Sequence, residues 1–178
     1  MKIIKYGDGA SSRPAESFVI KNSETIFVGG TVKLVAAAVE PADAIDDPIY
    51  GICVGFVGKD GNTPYNNLNS DQKSASDSYT HGTSLTVHSD NETSKMIRAK
   101  VVPLMPNDIV RAEADAALGT TTGSDKIGYY LSILTTNEAK LDESTASASK
   151  EQFLSVGIPD VVGNYIDVKL VEGQVFGQ

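Results

Sequence analysis

Apolar residues recur at every second position in several short runs, which is the pattern of a β-strand with one buried face. The clearest example spans 108–119, where Val110, Ala112 and Ala114 share one face and charged residues occupy the positions between them. The run at 164–173 repeats this alternation. Both runs therefore predict strands with an apolar inner face and a charged outer face.

Short apolar segments separated by Gly, Asn, Asp and Ser predict most of the remaining strands. These segments are 17–22, 25–28, 31–40, 49–59, 84–89, 92–103, 126–137 and 153–160. The Gly29-Gly30 pair predicts a tight hairpin between the second and third of them. The glycines within 49–59 predict a bulge, a strong bend or the close approach of another backbone. Pro103 and Pro106 predict a corner, because neither residue can donate to a strand ladder.

These elements predict an all-β fold: a small antiparallel β-barrel, a β-tulip or a sandwich, with few short helices. The length of 178 residues fits a single domain over 1–178. The charged, small-residue-rich stretch at 139–152 is interpreted as a short surface helix or a loop. Residues 1–16 are predicted to form a flexible N-terminal arm, and 60–90 a polar loop insertion that carries partner contacts.

Composition narrows the possible partners. Acidic residues outnumber basic ones by 23 to 15, giving a formal net charge of −8, and this charge opposes binding to nucleic acid. No apolar run approaches the roughly 18 residues of a membrane helix, and no secretion signal is recognised. The single cysteine, Cys53, is predicted to be a small buried apolar residue. We therefore expect a soluble protein without Sec-type export and no membrane partner.

Candidate chemistry is sparse. The two histidines, His81 and His88, lie seven residues apart in polar sequence, which is not a metal-ligand spacing. The stretch from Asp60 to Asp71 carries oxygen ligands but departs from a calcium loop at its sixth position. Glu113 and Asp115 share a strand face, as a paired-carboxylate catalytic site would require. Charges on an outward face more often serve solubility and protect a sheet edge, which is the better interpretation. We predict no enzyme activity, no metal and no cofactor.

Several segments together resemble tailed-phage capsid decoration proteins, also called cement or head-stabilisation proteins. The segments are VGGTVKL near residue 30, IYGICVGFVG, RAKVVPLMPNDIVRAEAD, KIGYY and the closing YIDVKLVEG. The resemblance covers most of the chain outside 60–90. It implies a small β-barrel or β-tulip that adds to the outside of an assembled capsid, as a dimer or a trimer. It implies no catalytic residues.

The resulting hypothesis is a structural virion protein on the outer capsid surface that binds the major capsid protein and reinforces contacts between its subunits. The predicted contact residues lie in the N-terminal arm and the polar insertion: Lys2, Ile3, Tyr6, Arg13, Tyr65, Asn66, Tyr79 and His81. Deletion of residues 1–14 is expected to weaken capsid binding with little loss of stability. The alternative hypothesis is a carbohydrate-binding module or tail-associated adhesin, although the absence of tryptophan disfavours stacking on a sugar.

Overall fold

A computed structural model describes residues 1–21, 24–36, 38–44, 47–57, 78–80, 98–115, 128–147, 152–157 and 164–171. At 78–80 and 143–147 only the backbone is described. In all of these residues the chain is all-β. Their strands are β1 (Lys2–Lys5), β2 (Glu16–Ile20), β3 (Thr25–Phe27), β4 (Thr31–Val35), β5 (Ala38–Pro41), β6 (Gly51–Val57), β7 (Ser78–Thr80), β8 (Arg98–Pro103), β9 (Ile109–Ala114), β10 (Tyr130–Leu134), β11 (Asn137–Ser147), β12 (Phe153–Ser155) and β13 (Tyr165–Leu170). In these ranges no helix is long and apolar enough to cross a membrane. The all-β prediction is confirmed.

The first sheet is a closed barrel of five strands in the order β2-β5-β4-β6-β8. Its pairs are antiparallel except β2 with β5, which run parallel. The short strands β3 and β7 form a separate antiparallel pair. Nine buried residues form a core among these strands: Ile20, Ile26, Val28, Val32, Val39, Cys53, Phe56, Ala99 and Val101. The predicted burial of Cys53 is confirmed.

The second sheet has the order β1-β9-β11-β10-β12-β13, and a further pairing joins β13 back to β9. Strands β9 to β13 therefore form a ring, and β1 is added beside β9. The β9–β11 pair is parallel. Each of the two sheets thus contains one parallel pair among antiparallel pairs, so both sheets of the all-β fold are mixed.

The inward residues of the second sheet pack against residues from the first barrel in one continuous core. The predicted inner face of β9 is confirmed, since Val110, Ala112 and Ala114 are all buried. Strand β13 contributes Ile166, Val168 and Leu170 in the same way. Ile49, Ile52 and Leu104 join this core from the other side. The shared core fixes the junction between the two sheets.

Strand β6 shows why glycine recurs within 49–59. The pairing of β6 with β8 shifts register between Cys53 and Gly55, so the predicted bulge is confirmed. At Gly51 the backbone of β8 approaches so closely that an added Cβ would collide with the carbonyl oxygen of Val102 and lie 2.7 Å from Cγ1 of Val101. The glycines therefore permit both the bend and the close contact that close the barrel.

The corner between β8 and β9 follows its sequence. Strand β8 ends at Pro103 and β9 begins at Ile109, with Asn107 at a φ of 69°. Asparagine tolerates this left-handed conformation better than most residues. The predicted corner at Pro103 and Pro106 is confirmed.

The segment 31–40 is two strands instead of the single strand predicted. Strands β4 and β5 form an antiparallel hairpin in which Val35 pairs with Ala38. Ala36 adopts a φ of 49°, the left-handed conformation that a two-residue hairpin turn requires. The predicted hairpin at Gly29-Gly30 is wrong, because β3 and β4 belong to different sheets. A run of alanines carries no recognisable turn signal, whereas Gly-Gly carries a strong one.

The prediction of a helix or loop at 139–152 is wrong for its first half, which lies in the long strand β11. Ala139 and Leu141 are buried while Lys140 and Asp142 are only partly buried, so the alternation of a strand is present. Small residues obscure this pattern, because alanine favours helices and serine favours turns, so neither indicates a strand. Pairing with β10 and β9 decides the conformation.

Residues 1–16 differ from the flexible arm predicted for them. They begin with β1, which pairs with β9, and end where β2 enters the barrel. Within the predicted insertion at 60–90, only β7 lies among the described residues.

Candidate interaction surface

The N-terminal strand lies against β9 and is anchored at its start. Lys2 pairs with Arg111 and Ile3 with Val110, and the register shifts before Lys5 pairs with Ile109. The nitrogen of Met1 donates to the carbonyl oxygens of Gly29 and Ala139 at 2.7 and 3.1 Å. The side chains of Met1 and Ile3 pack on the core of the second sheet. Main-chain pairing and apolar packing therefore hold β1 in place.

A buried ion pair fixes the other end of this segment. The guanidinium of Arg13 donates to both carboxylate oxygens of Asp108 at 2.5 and 3.0 Å, and to the carbonyl oxygen of Pro103 at 2.9 Å. The Asp108 side chain is fully buried and also accepts from the backbone N–H groups of Gly7 and Met105. These hydrogen bonds to Asp108 raise the pKa of Arg13. We call this set of contacts the Arg13–Asp108 clasp.

Two further contacts complete the clasp. Asp8 accepts a hydrogen bond from Arg13 at 3.0 Å, and the Tyr6 ring lies 4.7 Å from the guanidinium carbon. The pKa of Asp8 is lowered by the N–H of Ala10 and then by Arg13. Asp108 was missed as a binding residue in the sequence, where Asn107-Asp108 signals only a turn. No sequence pattern links it to an arginine 95 positions earlier.

The predicted contact residues of the N-terminal segment do not form one exposed patch. Lys2 is exposed, Ile3 packs inward, and Tyr6 and Arg13 belong to the clasp. Exposed positions on β1 are instead Lys2, Ile4 and Lys5, and Ile4 is 43% exposed. Successive side chains of a strand point to opposite faces, which explains why Ile3 packs inward while Lys2 and Ile4 are exposed.

The contact residues predicted in the insertion are not brought to a site by the structure. Tyr65, Asn66 and His81 lie outside the described residues. The backbone of Tyr79 pairs with Ile26 in the β3–β7 pair. Their proposed role stays a prediction.

The outer face of the second sheet carries cations in neighbouring strands. Across β1, β9 and β13, Lys2 lies opposite Arg111, and Arg111 lies opposite Asp167. In the neighbouring row across the same three strands, Lys5 lies opposite Ile109, and Ile109 lies opposite Lys169. Arg111 binds Asp167 through two hydrogen bonds of 2.8 and 3.0 Å. Within the described part of the chain, Lys2, Lys5 and Lys169 have no ion-pair partner. We call Lys2, Lys5, Arg111 and Lys169 the basic face.

Two carboxylates on the outer face of this sheet each bind a cation. Glu113, considered above as half of a paired-carboxylate site, accepts from Lys140 at 2.8 Å. Asp167 binds Arg111, as described. Among the described residues, no group of three or more His, Cys, Asp or Glu side chains is arranged to hold a metal ion.

A cleft of about 600 Å³ lies between β1 and the first barrel. Its lining combines apolar residues with polar and aromatic ones. The apolar residues include Val28, Ile52, Cys53, Val54 and Val102, and the others include Lys2, Tyr6, Arg111, Glu113 and Tyr165. A mixed lining of this kind suits a small amphiphilic molecule or a sugar.

Two ionisable groups are buried near the cleft. The Glu138 side chain accepts from the N–H of Phe27 at 2.9 Å, and an added Cβ at Gly30 would lie 2.7 Å from its Oε1. Burial raises the pKa of Glu138 to about 7. Burial likewise lowers the pKa of the Met1 amine to about 5, against opposing effects of nearby carboxylates. Near neutral pH the Met1 amine is therefore mainly neutral, and Glu138 is divided between its neutral and charged forms.

Comparisons of the chain with protein-family models, with curated proteins and with solved structures found no match. The resemblance to capsid decoration proteins is untested by them.

Proposed function

We propose that this chain is a structural virion protein that binds the outside of an assembled phage capsid and stabilises contacts between major capsid protein subunits. Support comes from the sequence segments that resemble decoration proteins and from a closed all-β framework that presents an anchored surface strand. The proposal assigns the protein a binding role, with the major capsid protein as its partner.

The observation that carries the proposal is the position of β1. Among the described strands β1 pairs with β9 alone, so none of them covers its other edge. Ile4 and the two lysines of this strand are exposed beside that edge. The Arg13–Asp108 clasp and the buried Met1 hold the strand in one position. A pre-ordered strand loses less entropy on binding than a disordered arm does.

Attachment of this kind stabilises a shell by mass action. A protein that binds the assembled capsid and not its free subunits shifts the equilibrium towards assembly. Many copies, each attached weakly, give a large total stabilisation, and a dimer or trimer adds avidity. A homo-oligomer on the capsid is therefore part of the proposal.

The test is capsid occupancy measured by co-sedimentation. Ile4→Asp places a charge on the exposed edge strand and is expected to lower occupancy at least fivefold without altering the unfolding transition. Val35→Asp is the matched control, because Val35 is 37% exposed on the β4–β5 hairpin of the other barrel. Equal occupancy for both variants and the unchanged chain would refute attachment through β1.

Gene context gives an independent test of the same proposal. A decoration protein is expected to be encoded beside the major capsid, scaffold and protease genes. A genomic neighbourhood without any virion genes would contradict the assignment.

The cleft favours a second candidate function, a carbohydrate-binding module or tail-associated adhesin. Tyr165 lines the cleft and is exposed, close in the sheet to Arg111 and Glu113. An exposed aromatic ring beside charged hydrogen-bonding groups is suited to a sugar. Binding on a glycan array that is lost in Tyr165→Ala would favour this function over capsid attachment.

A further inference from the structure

The basic face is a concentration of positive charge on an acidic protein. It contains four cations across β1, β9 and β13, with the two carboxylates Asp167 and Glu113 on the same outer face, while the whole chain has a formal net charge of −8. Lys2 and Arg111 are directly opposite each other in the pairing of β1 with β9. Like charges in this position destabilise a sheet. Only Arg111 is neutralised by a described partner, Asp167.

Protection of a sheet edge explains only part of this arrangement. Lysines on an edge strand prevent unwanted pairing, and this accounts for Lys2 and Lys5. Arg111 and Lys169 lie on β9 and β13, each of which is paired on both sides. Arg111 has a partner in Asp167, so Lys169 is the cation for which neither edge protection nor a described ion pair accounts.

We propose that the basic face docks onto a carboxylate-rich protein surface. This proposal deepens the proposed function and rests on it, since the surface would belong to the larger particle. Carboxylates from a partner would neutralise Lys2, Lys5 and Lys169, the three cations of this face without a described ion-pair partner. Such charge complementarity chiefly sets the rate of association and the choice of partner.

Apolar residues between the cations favour a protein over a nucleic acid. Ile109 lies between Lys5 and Lys169 in one row, and Leu154 follows next to Lys169 on β12. Both are partly exposed, and Ile4 is exposed nearby. Protein interfaces combine an apolar centre with charges around it. A polynucleotide would also meet repulsion from the acidic remainder of the molecule.

A double charge reversal tests the proposal. Lys5→Glu with Lys169→Glu removes the two cations that flank Ile109. The matched control is Arg98→Glu with Lys100→Glu, which makes the same change in net charge on β8 of the first barrel, at two partly exposed positions. Unfolding curves of both variants establish that each is folded before binding is measured.

The probes are poly-L-glutamate and a 20-base-pair DNA duplex, each titrated at low and physiological salt. We expect the unchanged chain to bind poly-L-glutamate more tightly than DNA, and the Lys5/Lys169 variant to lose at least fivefold in affinity. The Arg98/Lys100 variant is expected to stay within twofold. Equal losses in the two variants, or tighter binding to the duplex, would overturn the proposal.

Co-sedimentation with capsids separates this proposal from the proposed function. If capsids bind the chain and the Lys5/Lys169 variant equally, the docking face is wrong while capsid attachment stands. If capsids do not bind but poly-L-glutamate binding depends on the two lysines, the acidic partner is a different protein.

Discussion

At the scale of single residues, Asp108 is the residue on which the N-terminal segment depends most. Its side chain is fully buried and accepts hydrogen bonds from Arg13 and from two backbone N–H groups. The Arg13 side chain is only 9% exposed. Removal of one partner from a buried ion pair is costly, because the other charge is left without compensation.

Asp108→Asn is therefore expected to lower the free energy of unfolding by about 3 kcal/mol. Denaturant titration measures the change. The control is Asp167→Asn, which removes an exposed pair with Arg111 and is expected to cost less than about 1 kcal/mol. Similar losses in the two variants would show that the clasp is not a buried ion pair in solution.

Glu138 gives a prediction about pH. Its pKa is about 7 in the folded protein against an ordinary value of 4.5, so the folded state binds more protons between these values. Stability from this group consequently falls as pH rises from about 4.5 to about 7. The Met1 amine acts in the opposite direction between about 5 and 8, because its pKa is lowered. The two effects partly cancel in the unchanged chain.

Glu138→Gln isolates the carboxyl group, since the amide oxygen can still accept from Phe27. The variant is expected to be more stable than the unchanged chain at pH 8, by an amount on the order of 2–3 kcal/mol, and equal to it near pH 4.5. Thermal unfolding at the two pH values measures this. Glu113→Gln, on the outer face of β9, is the control and should show no such gain at pH 8.

At the scale of elements, the β4–β5 hairpin contains a local strain. Ala36 has a φ of 49°, a conformation that is unfavourable for alanine and accessible to glycine. Ala36→Gly is expected to raise the free energy of unfolding by about 1 kcal/mol. Ala10→Gly, in an exposed loop without positive φ, should instead be neutral or slightly destabilising. A loss of stability in Ala36→Gly would contradict the turn geometry.

Strands with strict alternation were predictable, and strands rich in small residues were not. Val110, Ala112 and Ala114 identified the inner face of β9, and the glycines of 49–59 identified the bulge of β6. The sequence does not reveal that Ala36 turns the chain or that 139–147 is extended, because tertiary pairing decides both. No local sequence pattern indicates which strands pair in parallel.

The candidate surface was only partly predictable. Lys2 was recognised because it belongs to a polar N-terminus, whereas Lys169 and Arg111 join it only through the pairing of β1, β9 and β13. Contacts between residues more than 50 positions apart cannot be predicted from a single sequence unless the register in which the strands pair is known.

At the scale of the whole molecule, the N-terminal segment is part of the folded structure. Deletion of residues 1–14 was expected from the sequence to cause little loss of stability, whereas the structure predicts a large loss. The deletion removes β1 and Arg13 and leaves Asp108 buried without its cation. We expect a loss of more than about 3 kcal/mol in the free energy of unfolding.

A shorter deletion, of residues 1–5, distinguishes the two anchors. It removes β1 and retains the clasp, so its loss of stability should be smaller than that of the longer deletion. Calorimetry of both proteins checks the order, and equal melting temperatures would show that Arg13 adds nothing.

The position of β1 has a consequence for biosynthesis. Lys2 pairs with Arg111, so the first strand made has no partner until more than a hundred further residues have been translated. At about 5–20 residues per second, the ribosome takes roughly 5–20 s to reach β9. The nascent chain must keep Ile3 and Ile4 from aggregating during this delay, and their flanking lysines are well placed to do so.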